Sequence, residues 1–146
     1  MSRGFNVFCV LALLFVAACA GSSLTPLMGG AREPGAVFYV AWHEKDSRNL
    51  HQVVAGAIAA RGLTVRAGPP AQRPSSVRFV VTYEDRWEWD IRMYLKKIVI
   101  RVHDVQTGAL LGESEMHQGS LSAMGETYED IIRRATQALF VERSTS

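Results

Sequence analysis

Ala36-Val-Phe-Tyr-Val-Ala-Trp42, then Asp46-Ser47, the run from Arg48 to Arg61, and Gly62-Leu-Thr-Val-Arg66 read in order as strand, cap, helix and strand. The first segment is apolar on both faces and rich in β-branched and aromatic residues, the pattern of a buried central strand. Leu50, Val53, Val54, Ala57 and Ile58 recur at helical spacing and make one apolar stripe. Asp46 or Ser47 supplies the cap, Gly62 the residue that ends the helix, and Gly68-Pro69-Pro70 the break after the second strand.

Working outward toward the C-terminus, Ser76 to Tyr83 alternates, with Val77, Phe79, Val81 and Tyr83 on one face and Arg78 and Thr82 on the other. Glu84 to Asp90 is charged and aromatic and reads as an exposed turn or irregular strand end. Ile91 to His103 is long and β-rich. Lys96-Lys97 interrupts it, as a bulge or as the exposed face of an edge. Asp104-Val-Gln-Thr-Gly108 is a hairpin turn, the aspartate bonding the backbone ahead and the glycine free to take φ > 0. Leu110 to His117 returns beside the long strand, with Glu113 and Glu115 on the face opposite Gly112, Ser114 and Met116. A last helix spans about Thr127 to Val141, with Tyr128, Ile131, Ile132, Ala135, Leu139 and Phe140 as its stripe and Glu126, Glu129 and Asp130 at its positive end. The order β-α-β-β-β-β-α predicts an α+β two-layer sandwich: a mainly antiparallel sheet, two helices on one face and a partly solvated other face.

Toward the N-terminus, Arg3 is the one charged residue before Cys19, and Val7 to Ala18 is nearly all apolar. That run has twelve residues, against about 20 for a membrane span, and small residues precede the cysteine. The pattern is a secretory signal peptide over residues 1–18. Val16-Ala-Ala-Cys19 resembles a bacterial lipobox, which implies that Cys19 becomes the lipidated first residue and holds the protein to a membrane. By the sorting pattern of Gram-negative lipoproteins, Ala20 after the cysteine implies the outer membrane, facing the periplasm. Residues 19–35 are rich in Gly, Ser and Pro and read as a flexible tether, roughly 20–25 Å root-mean-square from about 5–6 Å times the square root of its length. Residues 36–143 suit a single domain able to bury a core unaided. With Cys9 in the leader and Cys19 acylated, the mature domain has no thiol for a disulfide, a zinc site or a nucleophile. With Arg3 removed, basic and acidic residues nearly balance, so nothing in the charge recruits nucleic acid.

The chemistry-bearing residues form no catalytic pattern. There is no Gly-x-Ser-x-Gly elbow, and Ser75, Ser76, Ser114, Ser120 and Ser122 lie in turns or strand ends. His43, His51, His103 and His117 have no metal-ligand spacing. His43 with Glu44 and Asp46 reads as a solvated loop and cap, and His103 and His117 as a cross-strand pair flanking the hairpin turn. An enzyme would have to use Glu88 or Asp90 with His43, and no spacing demands it. The expectation is a non-enzyme without metal or cofactor.

Tyr83 to Tyr94 stands apart. Two of the three tryptophans and two of the four tyrosines fall there, interleaved with charge. If extended, Trp87 and Trp89 share a face that Ile91 and Met93 continue. The rings either close one end of the core or meet a partner, since Trp, Tyr, Met and Arg are enriched at interfaces. Trp87, Trp89, Asp90, Arg92 and Tyr94 are the candidate contact for another envelope protein. A glycan stacking on the two indoles is the alternative occupant.

A lipobox, a low-complexity tether, strand–helix–strand with Gly62, the hairpin Asp104-x-x-Thr-Gly108-x-Leu110-Leu111 and a closing helix resemble the lipoprotein activators of penicillin-binding proteins. They are similar also to curli-secretion-type lipoprotein domains. The resemblance implies an outer-membrane lipoprotein that binds an envelope protein. Trp87-x-Trp89-Asp90 departs from that pattern and resembles uncharacterised envelope lipoproteins.

Overall fold

The computed structural model describes residues 23–25, 33–119 and 125–140; Cys19, Ser120 and Ser122 lie outside them. Strands β1 (Leu24–Thr25), β2 (Val37–Ala41), β3 (Thr64–Gly68), β4 (Phe79–Asp90), β5 (Arg92–Asp104) and β6 (Leu110–His117) form one sheet in the order β1-β6-β5-β4-β2-β3. Helices α1 (Leu50–Ala59) and α2 (Tyr128–Leu139) complete an α+β fold. The sheet is mostly antiparallel, with β2 parallel to both β3 and β4. No helix among the described residues is long and apolar enough to cross a membrane.

The periodicities explain the layers. Phe38 and Val40 of β2, Phe79 and Val81 of β4, and Ile98, Ile100 and Val102 of β5 face the helices. Leu50, Val54 and Ile58 of α1 meet them, with Ile131, Ile132, Ala135 and Leu139 of α2. Phe38 stands 5.1 Å from Phe79 and 5.8 Å from Phe140 between ring centroids. Thr127 starts α2 through a capping box with Asp130. The turn after β5 is built as its sequence implies: Asp104 accepts the amides of Gln106 and Thr107, and Gly108 takes φ 70.

The opposite face is lined by ion pairs within and across its strands. Arg101 joins Glu84 and Glu113 at 2.6 and 2.5 Å, and Glu115 meets Lys97 at 3.0 Å and His117 at 2.6 Å. Together they satisfy the charges of the solvated layer rather than opening a site.

Four sequence expectations change or sharpen. Glu84–Asp90 is strand, the continuation of β4, because its residues find a full antiparallel partner in β5. Lys96 is a bulge: Arg86 lies opposite Lys97 and Trp87 opposite Leu95, so β5 carries one extra residue there. His103 lies opposite Leu110, and His117 opposite Lys97, so the two histidines are not cross-strand partners; the turn sets that register. Finally, part of the expected tether is ordered: Leu24 and Thr25 pair with Ser114 and Glu113 at the edge of β6.

Candidate functional site

The β4–β5 hairpin outgrows its sheet. β2 pairs with β4 only at Val81 and before, and β6 pairs with β5 only from Lys97 onward. From Trp87↔Leu95 to Asp90↔Arg92 the two strands pair only with each other, among the described residues. Ile91 alone closes the turn, at φ 57. For a β-branched side chain this left-handed conformation costs about 1–3 kcal/mol. Ile91 is 85% exposed, Trp89 69% and Met93 44%.

The five residues marked as a contact are divided by this geometry. Trp87 is partly buried and packed on the core. Its Nε1 donates to Asp85 Oδ2 at 2.7 Å, the Arg48 guanidinium lies 4.0 Å from its ring centroid, and Tyr128 meets it edge-on at 5.5 Å. It therefore fastens the base of the hairpin to the start of both helices. Tyr94 pairs across the hairpin with Glu88 and is buried, its hydroxyl donating to Glu88 Oε2 at 2.9 Å. Lys96 and then that hydroxyl hold the Glu88 carboxyl below its ordinary range. Trp89, Asp90 and Arg92 are left together at the tip, with Ile91 and Met93.

Below the tip, hairpin and helix enclose a cleft of about 350 Å³, lined by Trp87, Arg92, Met93 and Leu95 on one side and by Tyr128 and Glu129 of α2 on the other. Its lining is mixed, aromatic and aliphatic side chains beside Arg92, Gln118, Glu126 and Glu129, which suits a protein side-chain cluster. The glycan reading weakens here, because Trp87 is spent on Arg48 and Tyr128 and only Trp89 offers an open ring.

A second cluster, invisible as a unit in the sequence, surrounds Asp46. Its carboxylate is buried and accepts the amides of Arg48, Leu50 and His51 at 3.0, 3.1 and 3.3 Å, His51 Nδ1 at 3.2 Å and the Tyr83 hydroxyl at 2.6 Å. Burial alone would raise the carboxyl; the Tyr83 hydroxyl and the surrounding amides outweigh it and hold it at about 2. Burial and then Asp46 push the Tyr83 phenol far above its usual range. By holding the first amides of α1 and the Tyr83 hydroxyl at once, the carboxylate clamps the helix entry to β4.

Beside it, His43 Nε2 lies 3.2 Å from Asp85 Oδ1 without hydrogen-bond alignment, and its ring rests 4.7 Å from Tyr83. His43 thus meets Asp85, whereas Glu88 is engaged with Lys96 and Tyr94, and Asp90 stands at the tip. The His43–Glu88 or His43–Asp90 pairing that an enzyme would need is not assembled. Among the described residues no three His, Cys, Asp or Glu side chains converge as a metal site. Ser114 is buried within β6.

The sequence matches no family model and no curated protein. The fold is similar to two crystal forms of the PelC dodecamer from Paraburkholderia phytofirmans. One, in space group P6, has a TM-score of 0.58 at 17% identity, covering 84% of this chain and 99% of that one. The other, of a leucine-to-methionine variant in space group C2, has a TM-score of 0.57 at 17% identity, covering 83% and 99%. At that identity the likeness is one of fold.

Proposed function

We propose that this chain is a lipid-anchored, non-catalytic lipoprotein of the bacterial envelope, held at the periplasmic face of the outer membrane through Cys19, whose domain binds another envelope protein. The observation that carries the reading is the cleft between the hairpin base and α2. It sets Trp87, Leu95 and Tyr128 beside Arg92 and Glu129, a mixed surface of the kind found at protein contacts. The signal-peptide and lipobox pattern supports the location. The assembly named for the PelC neighbours supports further copies of this chain as the first partner to test. A head-to-tail contact between copies places one surface against a different surface of the next and closes into a ring when the rotation allows.

A photo-crosslinking residue at Glu129, in the cleft, tests this in cells. The expected product is a discrete adduct at twice the mass of the chain, or at the mass of the chain plus that of one other envelope protein. The same probe at Gln52, on the exposed side of α1, is expected to give none. No adduct from Glu129, or equal adducts from both positions, contradicts the reading.

A further inference from the structure

We propose that the tip of the β4–β5 hairpin enters the membrane that holds the chain, with Trp89, Ile91 and Met93 in the interfacial layer. This insertion rests on the reading of Cys19 as the lipid anchor and follows from strand direction. β1 runs antiparallel to β6, and Glu115 donates its amide to the carbonyl of Ser23. At Ser23, where the described segment begins, the N-terminal direction of the chain is toward the His117 end of β6. His117 pairs with Lys97, at the level where the hairpin begins to project. The N-terminal direction at Ser23 and the projection of the tip thus point to the same end of the sheet.

Length makes the point quantitative. Cys19 lies four residues before Ser23, a reach of at most about 14 Å at ~3.3–3.6 Å per residue. Ser23 sits at the level of Glu115, which is opposite Val99. From Val99 to Arg92, allowing for the bulged Lys96, the hairpin extends roughly 20 Å at ~3.3 Å per residue. Even a fully extended anchor falls about 6 Å short of the tip on the same spacings. With Cys19 at the bilayer surface and the hairpin along the membrane normal, the tip reaches the depth of about 5–10 Å at which amphipathic elements bury their apolar face.

The side chains at the tip fit that environment. An indole prefers the boundary between headgroups and acyl chains. Asp90 and Arg92 flank Ile91 with opposite charge, so insertion needs no anionic lipid. Ile91 also receives a reason: a glycine would hold φ 57 without strain, but would give the bilayer no apolar surface.

The test uses the full-length protein purified from membranes and reconstituted into phosphatidylcholine vesicles with acyl chains brominated near the headgroup. Trp42, Trp87 and Trp89 all emit, so the quenched fraction is read against Trp89→Phe. Quenching of about a third of the emission, lost in Trp89→Phe, is expected for one indole of three in the interface. Ile91→Gly is expected to cut the quenching at least twofold while raising the urea midpoint, which separates lost contact from lost folding. Quenching that is equal in parent and Trp89→Phe overturns the proposal, as does a Trp89 shielded from both brominated lipid and aqueous iodide, which marks a protein contact. Mass spectrometry of the Cys19 peptide from the same sample separates the two levels. Acylated Cys19 with no lipid quenching of Trp89 removes the tip proposal alone. Unacylated Cys19 removes the anchor reading and this proposal with it.

Discussion

Asp46→Ala is expected to lower the free energy of unfolding by about 3 kcal/mol, because it leaves a buried phenol and several amides without their acceptor. The carboxylate serves three amides at the start of α1 and the Tyr83 hydroxyl, so one deletion loosens the helix entry from β4. Its pH dependence gives the sharper check. The carboxyl falls from 3.8 to about 2 on folding, so the unfolded chain takes up the proton at higher pH than the folded one. The associated stability, about 2 kcal/mol at roughly 1.4 kcal/mol per pKa unit, is fully present above about pH 5 and fades as pH falls through 3.8 toward 2. Urea unfolding of parent and Asp46→Asn from pH 7 to about pH 2.5 reads this directly. The variant is expected to lose part of the acid slope, the part due to Asp46. Other lowered carboxyls, those of Glu88, Glu115 and Asp130, remain in both proteins and cancel in the difference. Parallel curves would refute the assignment.

Phe79→Ala is expected to cost about 3–5 kcal/mol, the range for removing a buried ring whose site cannot collapse. Phe79 is 1% exposed and starts β4, opposite Phe38 of β2 and Asp104 of β5. Its ring lies against Phe38, which in turn meets Phe140 at the end of α2. A cavity there separates the two strands from both helices. Leu110→Ala, at a position 48% exposed, is the control and is expected to change stability by less than about 0.5 kcal/mol. A loss below about 1 kcal/mol for Phe79→Ala would mean that this aromatic cluster is not central to the core.

Where local chemistry decides structure, the sequence was legible. The stripe Leu50–Val54–Ile58 predicts α1 and its buried face, and Asp104 with Gly108 predicts a turn whose bonds are those found. Period-2 alternation places Trp87 and Trp89 on one face. It does not tell that α2 begins beside the first and leaves the second in solvent, because that is set by the crossing of hairpin and helix. The strand from Glu84 to Asp90 was hidden by its charge, since Trp87 is the one apolar side chain there that packs on the core. The turn at Ile91 was hidden by the absence of glycine or asparagine at a left-handed position. Two-residue β1 carries too little pattern to read. The Asp46–Tyr83 clamp joins residues 37 positions apart, and only the parallel pairing of β2 with β4 brings them together.

The proposed function requires an anchored chain that meets its partner through the cleft between the hairpin base and α2. Native mass spectrometry of the protein extracted from membranes in mild detergent tests both parts at once. The account predicts ions of a chain beginning at Cys19 with three acyl groups, present in multiples or joined to one other envelope protein. A lone chain that retains residues 1–18 and carries no acyl mass would contradict it.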